Sequence, residues 1–314
     1  MISIRAVSKL ILILGTVAFA LNVYSSGGYG NIKNGFNLSN SIIPVGDIKR
    51  GGPARDGIPS IDSPEFISAA VALKKYGNDD RAIVVSHDGI KKVYPIAIMN
   101  WHELVNDQIA GTPILVTFCP LCGTGIVFKA AFSGNRLIFG VSGLLYQSDV
   151  LMFDRQTNSL WSQLLNKSVS GKNVGKSLDV FPSSHLLLKD YLLKNPKALV
   201  LSQKTGKKRD YKRDPYQGYQ KSKKLYFPIK NSDSSVHPKK WSLLLKYGTQ
   251  AKILVLDRLP KKNQRHVVKF VKKSIDVAID HKGKSFVCPK VRGLSCMTGF
   301  YFALKTFYPT AIVE

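Results

Sequence analysis

Acidic residues are scarce: 20 Asp and Glu stand against 46 Lys and Arg, giving a formal net charge of +26. A surface so basic draws anionic partners. Cysteine is scarce too, at four in 314 residues, and a chain of this length can bury a sizeable core without cross-links. Beyond the N-terminus no window is long and apolar enough to cross a bilayer, which takes about 20 residues. Three strings are also missing: a Gly-rich phosphate loop, a Gly-x-Ser-x-Gly elbow and a His-Glu-x-x-His zinc helix. Nucleotide-binding, serine-hydrolase and zinc-protease readings therefore gain no support.

The N-terminus carries Arg5 and Lys9, an apolar stretch over residues 10–21, and then small polar residues, the pattern of a secretory signal. Ala18-Phe-Ala20 supplies an A-x-A cleavage site, so residues 1–20 are expected to be a signal peptide, with an uncleaved anchor as the alternative. No cysteine follows the apolar run, and a lipid anchor is not indicated. The chain is expected to be exported, to a periplasmic or extracellular location. Export removes nucleic acid as the usual partner of a basic protein, and none is expected; the charge points instead to anionic envelope surfaces. The sequence names no small-molecule substrate.

Residues 21–60, rich in Gly, Asn, Ser and Pro, read as an extended lead-in, and residues 61–314 as the globular domain. Asp62-Ser-Pro-Glu65 resembles a helix start and predicts a helix over 66–76. The Asp88-Gly89 pair between the apolar runs 82–86 and 91–96 predicts a hairpin. Helical turns are predicted at 98–105, carrying Trp101, His102 and Glu103, and helices at 183–193 and 300–307. Between them the pattern is β-like, with strands at 114–118, 126–128, 136–141, 150–154 and 160–163. Two basic tracts follow. Residues 204–224 interleave Lys and Arg with Tyr211, Tyr216 and Tyr219 and, broken by Gly206, Pro215 and Gly218, read as a solvated loop, while 261–273 alternates apolar and Lys residues as a strand would. The fold class expected is α+β: a β-rich meander or mixed-sheet core with a few short helices.

The cysteines carry the chemistry. Cys119-Pro-Leu-Cys-Gly123 lies between two β-like runs, so a thioredoxin-type pair opening a helix is disfavoured. A metal-binding knuckle fits better, with Gly123 allowing the turn. Closed knuckle sites need two such loops, and the sequence has one. Further ligands must come from elsewhere. His102 with the two thiols would give three ligands of a zinc site; Met152 and His102 with the thiols would suit Cu(I). The cofactor expected at Cys119, Cys122 and His102 is thus a copper or zinc ion. Tyr146, Asp149, Met152, Asp154, Trp161 and Gln163 are the candidates for its surroundings, Asp149 and Asp154 serving either as paired carboxylates for acid-base work or as turn caps. Alternatives are a thiol-disulfide oxidoreductase using Cys119 and Cys122, and an envelope protein in which that pair is a structural staple. Cys288 and Cys296, eight apart, are expected to close a local disulfide in an oxidising compartment.

Several strings occur together in order: Asn100-Trp-His-Glu103, Val105-Asn-Asp107, Val116-Thr-Phe-Cys-Pro-Leu-Cys-Gly-Thr124, Phe139-Gly-Val-Ser-Gly-Leu-Leu-Tyr146, Ser148-Asp149, Asp154-Arg155, Leu160-Trp-Ser-Gln163, Pro215-Tyr-Gln-Gly-Tyr219 and Phe300-Tyr-Phe-Ala303. Together they resemble the DUF3179 family from about residue 45 to the C-terminus. The resemblance implies an exported or membrane-associated protein and no established activity. It also places His102, Tyr146, Asp149, Asp154, Trp161 and Gln163 within the family's strings, alongside the Cys loop. The Lys-rich tract at 204–224 and the Cys288, Cys296 pair depart from that pattern.

Overall fold

The computed structural model describes residues 31–132, 134–261, 265–280, 285–289 and 291–314. The expected signal peptide lies outside the described residues. Among the described residues strands dominate, and the helices are few and short, the longest spanning seven residues. Among the described residues no helix is long and apolar enough to cross a membrane.

Two adjoining sheets position the thiols. The first has four strands in the order Val180–Phe181, Thr124–Lys129, Thr112–Cys119, Leu104–Ile109. The second has five, in the order Lys167–Ser170, Leu160–Ser162, Asp149–Asp154, Phe139–Tyr146, Ile48–Arg50, every neighbouring pair antiparallel. Both faces of these strands are covered: Phe139–Tyr146 and Asp149–Asp154 are buried almost throughout, which is why they read as continuous apolar runs rather than alternating ones. A third sheet holds the predicted hairpin, Arg81–His87 with Ile90–Pro95, closed by Asp88 and Gly89 at φ 45° and 77°. Both turn residues sit at positive φ, as a two-residue type I′ hairpin turn requires.

C-terminal strands complete the structure. Trp241–Tyr247 pairs with Gln250–Val255 and with Leu294–Phe300, and the predicted terminal helix is present as Tyr301–Phe307. Arg265–Phe270, Lys273–Asp280 and Ser285–Val287 form a small separate sheet. Within the basic tract at 261–273, Arg265–Phe270 is a strand, and Val271 and Lys272 adopt positive φ and reverse the chain. The Cys288–Cys296 disulfide is present, with its Cα atoms 5.7 Å apart.

Three helix expectations require correction: the turns expected at 98–105 form the helix Ile96–His102, and Leu104 and Val105 already belong to the strand Leu104–Ile109, while the other two lose their first residues to strands. Residues 66–68 are a strand paired with Leu199–Leu201, and only Ala69–Leu73 is helical, capped by the Ser68 hydroxyl. Likewise Ser183–Leu187 pairs as a strand with Arg81–His87 before the helix Leu188–Lys194 begins. In both cases sheet-edge hydrogen bonds override a local helical pattern. The stretch at 31–60 folds against the domain, with a short hairpin, Ile32–Lys33 with Phe36–Asn37, and a 3-10 turn at Val45–Asp47; Phe36, Leu38 and Ile48 are buried, and Ile48–Arg50 adds an edge strand to the second sheet.

Candidate metal centre

The Cys loop closes a β-hairpin. Thr112–Cys119 and Thr124–Lys129 pair in register up to Cys119 opposite Thr124, and the Cys122 amide donates to the Cys119 carbonyl at 3.2 Å. Gly123 turns the chain at φ 62°, and a Cβ there would lie 2.9 Å from the Phe300 ring, so both conformation and space demand glycine. The Phe300 amide in turn donates to the Cys122 carbonyl at 2.7 Å, fastening the C-terminal strand to the loop. Gln163 braces the hairpin from the neighbouring sheet. Its amide nitrogen donates to Thr117 Oγ1 at 2.7 Å and to the Thr124 carbonyl at 3.2 Å, and its Oε1 accepts from the Thr124 hydroxyl at 2.6 Å.

A second hairpin faces the sulfurs. Phe139–Tyr146 and Asp149–Asp154 are joined by Gln147 and Ser148, both at positive φ, and this tight turn carries the Ser148 carbonyl to 3.3 Å from Cys122 Sγ and 3.8 Å from Cys119 Sγ. Asp149 follows at once. One oxygen, Oδ2, accepts from the Leu164 amide at 3.0 Å and the Ser162 hydroxyl at 3.4 Å; the other, Oδ1, is buried without a hydrogen-bond partner. A ligand atom from each of Cys119, Cys122 and Asp149 lies within 4.8 Å of the other two, and all three residues are at most 1 % exposed. Both cysteines are free thiols.

Glu103 joins this neighbourhood, a residue the sequence reading left out of the site. It ends the helix Ile96–His102 at φ 57°, and its carbonyl accepts from the Phe118 amide at 2.7 Å, tying it to the residue before Cys119. Burial pushes the Glu103 carboxyl up to about 8, with the Asp149 charge adding to the effect. Burial likewise takes Asp149 up to about 7 against the pull of the Leu164 and Val150 amides. The Cys119 and Cys122 thiols are raised by burial first, and Asp149 adds to both. Among the described residues no salt bridge joins any of the four to a basic side chain. Four acidic groups thus share a dry interior with no basic partner among the described residues, which obliges them to hold protons or a metal ion.

The remaining candidates sort by contact. His102 does not join the Cys119, Cys122 and Asp149 group: its Nδ1 is 2.7 Å from the Pro59 carbonyl and its Nε2 2.7 Å from the Tyr211 hydroxyl, so both ring nitrogens are engaged by other partners. Asp154 accepts from the Thr157 amide and hydroxyl and from Trp161 Nε1 at 2.8 Å, capping the turn after its strand. It stands at the opposite end of that strand from Asp149, so the two are not a carboxylate pair. Met152 and Trp161 pair across strands in the apolar core, and Tyr146 packs its ring against Phe307 at 5.8 Å.

Tyr216 and Tyr219 were also not assigned to the site from sequence. The basic tract is a loop, yet Tyr219 is buried, and the thiols contribute to raising the hydroxyl pKa of both tyrosines beyond what burial does. Their place in the Pro215-Tyr-Gln-Gly-Tyr219 string was the available signal.

One protein-family model, described as a protein of unknown function (DUF3179), matches residues 55–310. No curated protein and no solved structure matches the chain.

Proposed function

This chain belongs to the DUF3179 family, and we propose that it binds one soft transition-metal ion, copper or zinc, through Cys119, Cys122 and Asp149. The observation that carries the reading is the buried, uncompensated acid cluster. In a tetrahedral site with metal-sulfur bonds of about 2.3 Å and metal-oxygen bonds of about 2.0 Å, neighbouring ligand atoms stand about 3.5–3.8 Å apart. Ligand atoms already within 4.8 Å need to close by only about 1 Å to reach it. Thiolates select copper(I) and zinc, and the free Oδ1 of Asp149 gives a third donor that needs no rearrangement of its existing hydrogen bonds. Gln163, Ser162 and the Leu164 amide would hold loop and carboxylate in place, the orienting role that outer groups take around metals. The role proposed is metal handling or a metal-dependent redox step outside the cytoplasm, with the basic surface resting against anionic envelope polymers or headgroups.

Thiol-disulfide exchange is the second reading, favoured by one feature: a carboxyl titrating near 7 beside the thiols could shuttle a proton. It is outweighed by access. Both sulfurs are sealed from solvent and their pKa values are raised, whereas reactive exchange thiols are partly exposed and lowered.

Metal analysis of the purified protein decides between them. About one equivalent of copper or zinc is expected in the wild type, with affinity lowered at least tenfold in Cys122→Ser and Asp149→Ala. A metal-free protein whose Cys119 and Cys122 cycle readily between dithiol and disulfide would overturn the metal reading in favour of exchange. A pair permanently oxidised and inert would reduce it to a structural staple.

A further inference from the structure

A cavity of about 840 Å³ opens beside the Cys loop, with Phe118, Pro120 and Gly123 in its wall. That volume is in the range of small-molecule sites, about 300–1,000 Å³. Its lining is aromatic: Tyr76, Tyr211, Tyr216, Tyr219, Trp241 and Phe300 surround it together with Phe118. Charge within it is biased. Five basic side chains line it against three acidic ones, and two of the acids are committed. Asp80 accepts from the Gly77 amide at 2.6 Å, and Asp214 accepts from Asn100 at 3.0 Å and from the Tyr216 amide at 2.9 Å.

The wall also contains polar groups with nothing to bond. Trp241 Nε1 and both nitrogens of His185 are buried without a hydrogen-bond partner, and each residue is at least nine-tenths buried. Native interiors seldom leave such groups unpaired, because a buried donor or acceptor that has lost water and gained no partner is destabilising. The Arg81 guanidinium stacks on the Trp241 ring at 4.1 Å, so cation and indole donor occupy one patch of the lining. That patch connects to the Cys loop through a continuous stack, because Trp241 packs on Phe300 at 4.8 Å and Phe300 on Gly123.

We propose that this cavity binds a small organic anion, an aromatic or otherwise apolar body carrying one acidic group. The body lies on the aromatic lining, and the acidic oxygens turn toward the Arg81 guanidinium and accept from the unpaired Trp241 Nε1–H and the one N–H of the neutral His185 ring. Lys75 and Lys212, exposed in the same lining, draw the ligand in. The proposal does not rest on the metal centre: cavity and thiols are neighbours, and the ligand touches the loop's outer side only.

The test uses 1-anilinonaphthalene-8-sulfonate, an aromatic anion, and its uncharged relative N-phenyl-1-naphthylamine, titrated by fluorescence into the full-length mature protein. One saturable site for the sulfonate is expected, weakened at least fivefold in Arg81→Gln and severalfold in the surface variant Lys75→Glu/Lys212→Glu, while the uncharged probe binds both variants as it does wild type. The surface variant keeps the test informative should Arg81→Gln fail to fold. Binding is also expected to survive in Cys122→Ser, so a failed metal assignment and a failed cavity assignment are told apart. Non-saturating binding, or equal affinity of the sulfonate for wild type and the surface variant, would overturn the proposal.

Discussion

Glu103 gives the sharpest test of the buried acid cluster. In the fold its carboxyl titrates at about 8, whereas the ordinary value is 4.5. The sign follows from which state holds the proton. Between about 4.5 and 8 the unfolded chain has released it and the folded chain retains it, so stability falls as pH rises through this window. Each pH unit across it is worth about 1.4 kcal/mol, so Glu103 alone removes roughly 4–5 kcal/mol by pH 8 relative to pH 4.5. Glu103→Gln keeps the shape, removes the titration and is expected to raise the stability of metal-free protein at pH 8 by about 3–5 kcal/mol relative to its effect at pH 5. Urea unfolding of chelator-treated wild type and variant at half-unit steps from pH 5 to 8.5 measures this directly. Parallel curves for the two proteins would refute the placement of Glu103 in a dry interior. Asp149, raised to about 7, steepens the same slope in wild type and leaves part of it in the variant.

Three other outcomes are expected. His185, lowered to about 3 by burial and then by Arg81, resists the proton that the unfolded chain accepts below about 6.5, so it makes the protein lose stability as pH falls from 6.5 toward 3; His185→Gln should flatten that acid limb in urea titrations. Gln163→Ala strands the buried Thr124 hydroxyl and takes a donor from the Thr124 carbonyl and from Thr117 Oγ1, which keeps its own bond to the Ile126 carbonyl; it should cost about 2–3 kcal/mol, read as a lower urea midpoint, and should weaken metal binding with both cysteines intact. Cys296→Ser opens a loop whose bridged residues are eight apart and should cost about 2–3 kcal/mol while leaving metal stoichiometry unchanged, measured by thermal unfolding and metal analysis together.

The β-rich class, the Asp88-Gly89 hairpin, the strands flanking the Cys loop and the terminal helix were legible in the sequence because each rests on local signals: turn residues with positive φ, apolar runs, and a Gly where no side chain fits. The overextended helices failed for the opposite reason, since residues 66–68, 104–105 and 183–187 find their partners across a sheet and local pattern carries no record of that. The same division runs through the candidate site. Cys119 and Cys122 announce themselves by spacing, and Asp149 and Gln163 by lying in the family's strings.

What distance along the chain concealed is which of those residues meet. His102 is 17 positions from Cys119 and bonds Pro59 and Tyr211 instead, while Asp149, 30 positions away, arrives at the sulfurs because two hairpins face one another tip to tip. Glu103 becomes part of the acid cluster only because its left-handed backbone turns it back against Phe118. The sequence by itself determined the donor types and the turns that present them. Only the tertiary structure decided that the donors would be buried together with no basic partner among the described residues, because burial and charge compensation are properties of what packs around a group rather than of the group's place in the chain.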